Sequence, residues 1–121
     1  MNILIVDDDI DVQTFFEHFL RAEGYTVHSA GDGREALCKL KEKVHNMVFL
    51  DLKMPDLNGV EILKYIKEHY PGIVVVVITG EKYCDKEEKV REIGGVFDII
   101  HKPFKLDTVR QVIKDAIGKS A

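Results

Sequence analysis

"ILIVDDDID" (residues 3–11) sets Ile3, Leu4, Ile5 and Val6 directly against Asp7, Asp8 and Asp9, with Asp11 one step beyond. The apolar half has the length and branching of a buried strand. The acidic half ends it, and the residues that follow, Val12, Phe16, Phe19 and Leu20, recur at helical spacing. A strand that stops on acids and turns at once into an amphipathic helix reads as the first βα unit of a chain that alternates the two. Asp9 fits the N-cap of that helix and Asp11 its first turn, where the positive end of the helix dipole favours acids. Neither role accounts for Asp7 and Asp8, which precede the cap.

The alternation continues to the end of the chain. Short β-branched runs predict strands at 2–6, 25–30, 47–50, 73–78 and 97–100. Between and after them, Ala36, Leu37, Leu40 and Val44, then Val60, Leu63 and Ile66, then Val109, Val112, Ile113 and Ala116 form helical stripes; a further, mostly charged helix is expected over 85–93. Gly24, Pro71-Gly72 and Gly94-Gly95 punctuate the helix ends. Strict alternation implies right-handed crossovers, hence one doubly wound α/β domain built on a parallel sheet. The segments 48–50 and 73–78 are apolar throughout, as central parallel strands should be.

Bulk properties narrow the function. The 121 residues suit one domain spanning 1–121, with a boundary near 118 where the last residues read as a frayed end or the start of a linker. Lys and Arg number 17 against 21 Asp and Glu, a net charge of -4, which offers no basic footprint for nucleic acid. The longest apolar run, 73–78, is far below the ~20 residues of a membrane span. Met1-Asn2-Ile3 lacks the basic start of a secretory signal, so a cytoplasmic location is expected. Cys38 and Cys84 have no metal-binding spacing and read as reduced thiols.

In an open parallel sheet, ligands bind beyond the carboxyl ends of the strands. Here the first strand ends on Asp7, Asp8 and Asp9, the third on Asp51, the fourth on Thr79-Gly80 and the fifth on His101-Lys102-Pro103. Carboxylates gathered at one partly buried edge cannot all stay ionised without a cation. Oxygen donors with no Cys or His select a hard ion, and Mg²⁺ suits a carboxylate site that also meets a phosphate. Asp51, alone after "MVFL", can serve as ligand, general base or nucleophile. Thr79 offers a hydroxyl and Lys102 an ammonium to phosphoryl oxygens, so the set describes a phosphoryl-transfer pocket. Lys102-Pro103 is a candidate cis peptide.

"ILIVDDD" at 3–9, "VFLDLKMPDLNG" at 48–59, "VVVITG" at 75–80 and "IIHKPF" at 99–104 together resemble, in order and spacing, the receiver domain of two-component response regulators. The resemblance spans nearly the whole chain. It implies a (βα)5, flavodoxin-like fold with strand order 2-1-3-4-5. By resemblance Asp51 is the phospho-acceptor, Thr79 the switch hydroxyl and Lys102 the phosphoryl contact. Asp7, Asp8 and Asp51 would hold Mg²⁺, with Mn²⁺ as a substitute, and the backbone carbonyl of Lys53 would complete the metal site. Implied partners are a sensor histidine kinase or histidine phosphotransfer protein and a downstream protein or fused output domain. The chain would then be a switch, monomeric or dimerising on phosphorylation, that catalyses only its own phosphoryl transfer and dephosphorylation, and its responsive surface would be 82–117. Ile99 departs from the family, which usually places Tyr or Phe there, which leaves two alternatives: Ile99 itself changes packing, or another aromatic such as Phe97 or Tyr83 reports the switch.

Three other readings compete. A phosphatase of the haloacid dehalogenase type needs DxDx[TV], which neither Asp7-Asp8-Asp9-Ile10-Asp11 nor Asp9-Ile10-Asp11-Val12-Gln13 supplies. A flavodoxin-like carrier wants a Ser/Thr/Gly phosphate loop where this chain has acids. A degenerate receiver serving only as a binding module is disfavoured because Asp7, Asp8, Asp51, Thr79 and Lys102 are all present.

Overall fold

The computed structural model describes residues 1–52, 59–80 and 90–120, with side chains through Ile117. The apolar runs become β1 (Asn2–Val6), β2 (Thr26–Ala30), β3 (Met47–Asp51), β4 (Val74–Thr79) and β5 (Val96–His101). They pair in parallel in the order β2-β1-β3-β4-β5, the 2-1-3-4-5 arrangement. Around them lie α1 (Ile10–Ala22), α2 (Gly33–Glu42), α3 (Gly59–His69), helical backbone at residues 90–93, and a C-terminal helix (Leu106–Ser120). Lys53, Tyr83, Cys84 and the first part of the expected fourth helix fall outside the described residues.

Alternation along the strands divides the core between the two faces of the sheet. Leu4, Val6, Val48, Leu50, Val75 and Val77 pack with α2 and α3, while Ile3, Ile5, Phe49, Val76 and Ile78 pack with α1 and the C-terminal helix. Phe16 and Leu20 of α1 are fully buried, as are Leu63 and Ile66 of α3, and Val109, Val112, Ile113 and Ala116 are buried too. Each buried Val, Leu, Ile or Phe is worth roughly 1.5–3 kcal/mol relative to exposure. Both faces are thus covered, as a parallel sheet requires.

Helix ends follow local chemistry. Asp9 caps α1, its side chain accepting the Asp11 N–H at 2.9 Å, and Asp32 caps α2 by accepting the Glu35 N–H at 2.7 Å. Gly24 takes φ +95° just after α1, a conformation that favours glycine. Val44, expected on the α2 stripe, lies outside it: the helix ends at Glu42, Lys43 turns extended, and Val44 is 81 % exposed.

Candidate functional site

Strand order reverses between β1 and β3, and the carboxyl ends of those two strands deliver Asp7 and Asp51 to the same edge. Asp7 extends β1 by one rung, donating its N–H to the Ala30 carbonyl of β2 at 3.0 Å. Its side chain is fully buried, and Oδ1 accepts the Asp9 N–H at 2.9 Å. Asp8, one residue on, leaves the ladder and is exposed. Asp51 is the last residue of β3 and is buried; the next N–H, of Leu52, donates to Ile78 at 3.2 Å and keeps the strand end tied to β4.

Thr79 ends β4 and is buried, opposite His101 of β5. The Lys102 N–H donates to the Thr79 carbonyl at 2.8 Å, and the peptide that follows, Lys102-Pro103, is cis. The lysine then reaches back over the edge. Its Nζ lies 2.9 Å from Asp7 Oδ2 and 3.4 Å from Asp51 Oδ2. Asp7, Asp8, Asp51, Thr79 and Lys102, contributed by four strand ends, therefore meet at one edge, while Lys53 lies outside the described residues.

Burial is the main force pushing the Asp7 carboxyl above its ordinary pKa; the Asp9 N–H and the Lys102 ammonium oppose the rise and the Asp51 charge adds to it. For Lys102 burial alone would lower the pKa, but its contacts with Asp7 and Asp51 outweigh burial and hold it above the ordinary value. The two shifts agree: charge at this edge is partly desolvated and short of cation. Asp7 Oδ2 is buried and, although ion-paired, accepts no aligned hydrogen bond.

Asp7, Asp8 and Asp51 can each offer an oxygen within 4.8 Å of the others, so the cluster could hold a metal ion. Three carboxylates against one ammonium leave a formal charge of −2 when all are ionised, matching a divalent cation. An all-oxygen donor set with one exposed member fits a hard ion that keeps some of its water. The site's chemistry is thus a carboxylate, Asp51, flanked by an acidic pair, a lysine and a strand-end hydroxyl.

Two residues that support this geometry carry no sequence-level role. A Cβ at Gly59 would come within 2.6 Å of the Asp51 carbonyl oxygen and of Leu52 Cα, so only glycine lets α3 start against the end of β3. The Asn-Gly pair at 58–59 is a turn signal that could have marked it. Gln13 donates to the Asp7 carbonyl at 2.6 Å, and no spacing rule identifies it. Ile99, at the position noted above, is partly buried on the α2–α3 face of the sheet, whereas Phe97 packs on the opposite face. The two are therefore not interchangeable.

The model of the response regulator receiver domain matches residues 3–114. The transcriptional regulatory protein ZraR of Klebsiella oxytoca is 35 % identical over 118 residues, covering 98 % of this chain and 26 % of the relative. This chain thus spans about a quarter of the length of the curated relatives it matches. A CheY-like receiver domain protein from Methanospirillum hungatei has a similar structure, with TM-score 0.92, 29 % identity, and coverage of 98 % of this chain and 94 % of that one. NtrX from Brucella abortus superposes with TM-score 0.89 at 32 % identity, over 98 % of this chain and 27 % of the other. No helix among the described residues is long and apolar enough to cross a membrane. The chain belongs to the receiver domain family of two-component response regulators, phosphorylation-dependent signalling switches rather than classical enzymes.

Proposed function

We propose that Asp51 is the phospho-acceptor of this switch. The observation that carries the reading is the Lys102 ammonium held between Asp7 and Asp51, at 2.9 and 3.4 Å, with Asp8 close by. An Asp51 carboxylate oxygen attacks the phosphorus of a phosphohistidine, the P–N bond to the donor imidazole breaks, and the freed imidazole takes a proton. Lys102 meets a phosphoryl oxygen with a full positive charge, and Thr79 donates its hydroxyl to another. Asp7, Asp8, Asp51 and the backbone carbonyl of Lys53 would hold Mg²⁺, or Mn²⁺ in its place. That ion supplies neutralisation of the charge building on the transferring group.

The unit is a single receiver over residues 1–121 with its boundary near 118, cytoplasmic, and served by a sensor histidine kinase or a histidine phosphotransfer protein. Acyl phosphate draws Thr79 and Lys102 toward it, and the change passes through β5 and its flanking helices to a downstream protein or output domain, in a monomer or a phosphorylation-dependent dimer. Water acting on the acyl phosphate resets the switch.

Incubation with Mg²⁺ and a small-molecule phosphodonor is expected to add one phosphoryl mass to the intact protein, in an acid-stable, base-labile adduct that maps to Asp51. Asp51→Asn should take up none. An adduct that persists in Asp51→Asn, or a wild-type protein that never acquires one, overturns the assignment.

A further inference from the structure

Gln13 has no part in the phosphoryl chemistry above, yet it is bonded to the backbone that carries the acidic pair. Its Nε2 donates to the Asp7 carbonyl at 2.6 Å, and its backbone N–H donates to the Asp9 carbonyl at 3.1 Å. One residue near the start of α1 thus holds the two carbonyls that bracket Asp8. The rest of the segment is tied as well: the Asp7 N–H donates to Ala30, and Asp7 Oδ1 accepts the Asp9 N–H. Gly31, in the turn after β2, lies beside the amide: a Cβ there would be 3.5 Å from Gln13 Nε2, an ordinary van der Waals contact.

We infer that Gln13 is a positioning residue for the divalent cation, acting through Asp8; the inference rests on the proposed reading of Asp7, Asp8 and Asp51 as the ion's ligands. Asp8 is exposed, so packing cannot aim its carboxylate. Its backbone can, and the Gln13 side chain fixes that backbone on the Asp7 side, while the first hydrogen bond of α1 fixes it at Asp9. A ligand whose direction is set before the ion arrives loses less freedom on binding it. The donor is also neutral. Lysine or arginine could reach the same carbonyl, but each would add positive charge beside the site and oppose the cation.

The test is a MgCl₂ titration of the 121-residue chain, followed by backbone amide NMR, on the wild type, Gln13→Met and Gln13→Ala. Methionine keeps the length of the stem and removes the amide, and with it the hydrogen bond to the Asp7 carbonyl. Both variants are expected to raise the Mg²⁺ dissociation constant about 10-fold, the usual cost of losing a partner that orients a ligand. The metal-free thermal midpoint of Gln13→Met should stay near that of the wild type. Half-saturating Mg²⁺ for phosphorylation should rise by the same factor, with the rate at saturating Mg²⁺ unchanged. Dissociation constants within twofold of the wild type make Gln13 a packing residue and overturn the inference, whatever happens to stability. A second readout needs no variant: the wild-type Gln13 side-chain amide should exchange slowly and shift on adding Mg²⁺, and free exchange with no shift overturns the inference equally. A wild type that binds no Mg²⁺ sinks the cation reading itself, which separates the two failures.

Discussion

Asp7 and Asp8 are chemically identical neighbours, and one hydrogen bond separates their fates. The Asp7 N–H still belongs to the β1–β2 ladder, so its side chain is drawn into the edge of the core, while Asp8 has left the ladder and faces solvent. No property of the triplet at 7–9 distinguishes them beforehand, because the ladder's last rung depends on where β2 stops. The energetic consequence is specific. Burial first, and the Asp51 charge in addition, raise the folded-state pKa of Asp7 above its unfolded value. Between those two values the native state holds more protons than the unfolded state, so the metal-free protein loses stability as pH rises through that window; above it, ionised Asp7 remains a constant cost. Asp7→Asn retains an oxygen for the Asp9 N–H but removes the charge. Thermal melts in chelator are therefore expected to show Asp7→Asn more stable than the wild type at neutral pH, with a flatter pH dependence on the acid side. A lower midpoint for Asp7→Asn at neutral pH would mean that the pair with Lys102 outweighs desolvation.

At the scale of elements, the junction of β3 with α3 shows what patterning reveals and what it conceals. Periodicity placed both elements within a residue or two and put Asp51 at a strand end, because apolar runs and stripes are local properties of the chain. It could not show that α3 begins in contact with the Asp51 backbone, a three-dimensional approach with no local signature except Gly59 itself. Gly59→Ala would push a methyl to 2.6 Å from backbone on both Asp51 and Leu52. Relief requires moving the helix start or the strand end, and overpacking of this kind costs typically about 1–3 kcal/mol. Chemical denaturation should register that loss, and phosphorylation should slow with it, because the shifted backbone carries Asp51, the proposed acceptor. Unchanged stability would show that α3 can move away freely. Two other features lay equally beyond the pattern. Helix α2 ends two residues before Val44, and His45 is buried beside His28, their nitrogens 3.2 Å apart; both depend on how the chain turns into β3. The bulge at Val75/Val76 in the β4–β5 pairing, which separates the partners Val96 and Asp98, is likewise a property of the pair of strands.

For the whole molecule, the strand ends that supply Asp7 and Asp51 become neighbours only when β1 and β3 are paired within the folded sheet. The unfolded chain keeps Asp7 and Asp8 adjacent but separates them from Asp51, so it retains only a fragment of the proposed cation site. A ligand that binds the native state alone raises stability by RT ln(1 + [L]/Kd), about 2.7 kcal/mol at a hundredfold excess over Kd. Because the core spans both faces of one sheet, this gain should be shared by the entire fold. Urea unfolding in increasing MgCl₂ is thus expected to move the midpoint upward with the logarithm of Mg²⁺ concentration, while the slope m, set by the surface exposed on unfolding, stays constant. Followed by circular dichroism and by tyrosine fluorescence, the transitions should coincide. Asp51→Asn should weaken the dependence, and replacing Asp8 as well should abolish it, since the native state then offers the ion no more than the unfolded chain does. A wild-type midpoint indifferent to a hundredfold excess of Mg²⁺ would mean that the sheet edge does not assemble a cation site on folding. A change in m would mean that the ion reshapes one of the two states instead of selecting between them.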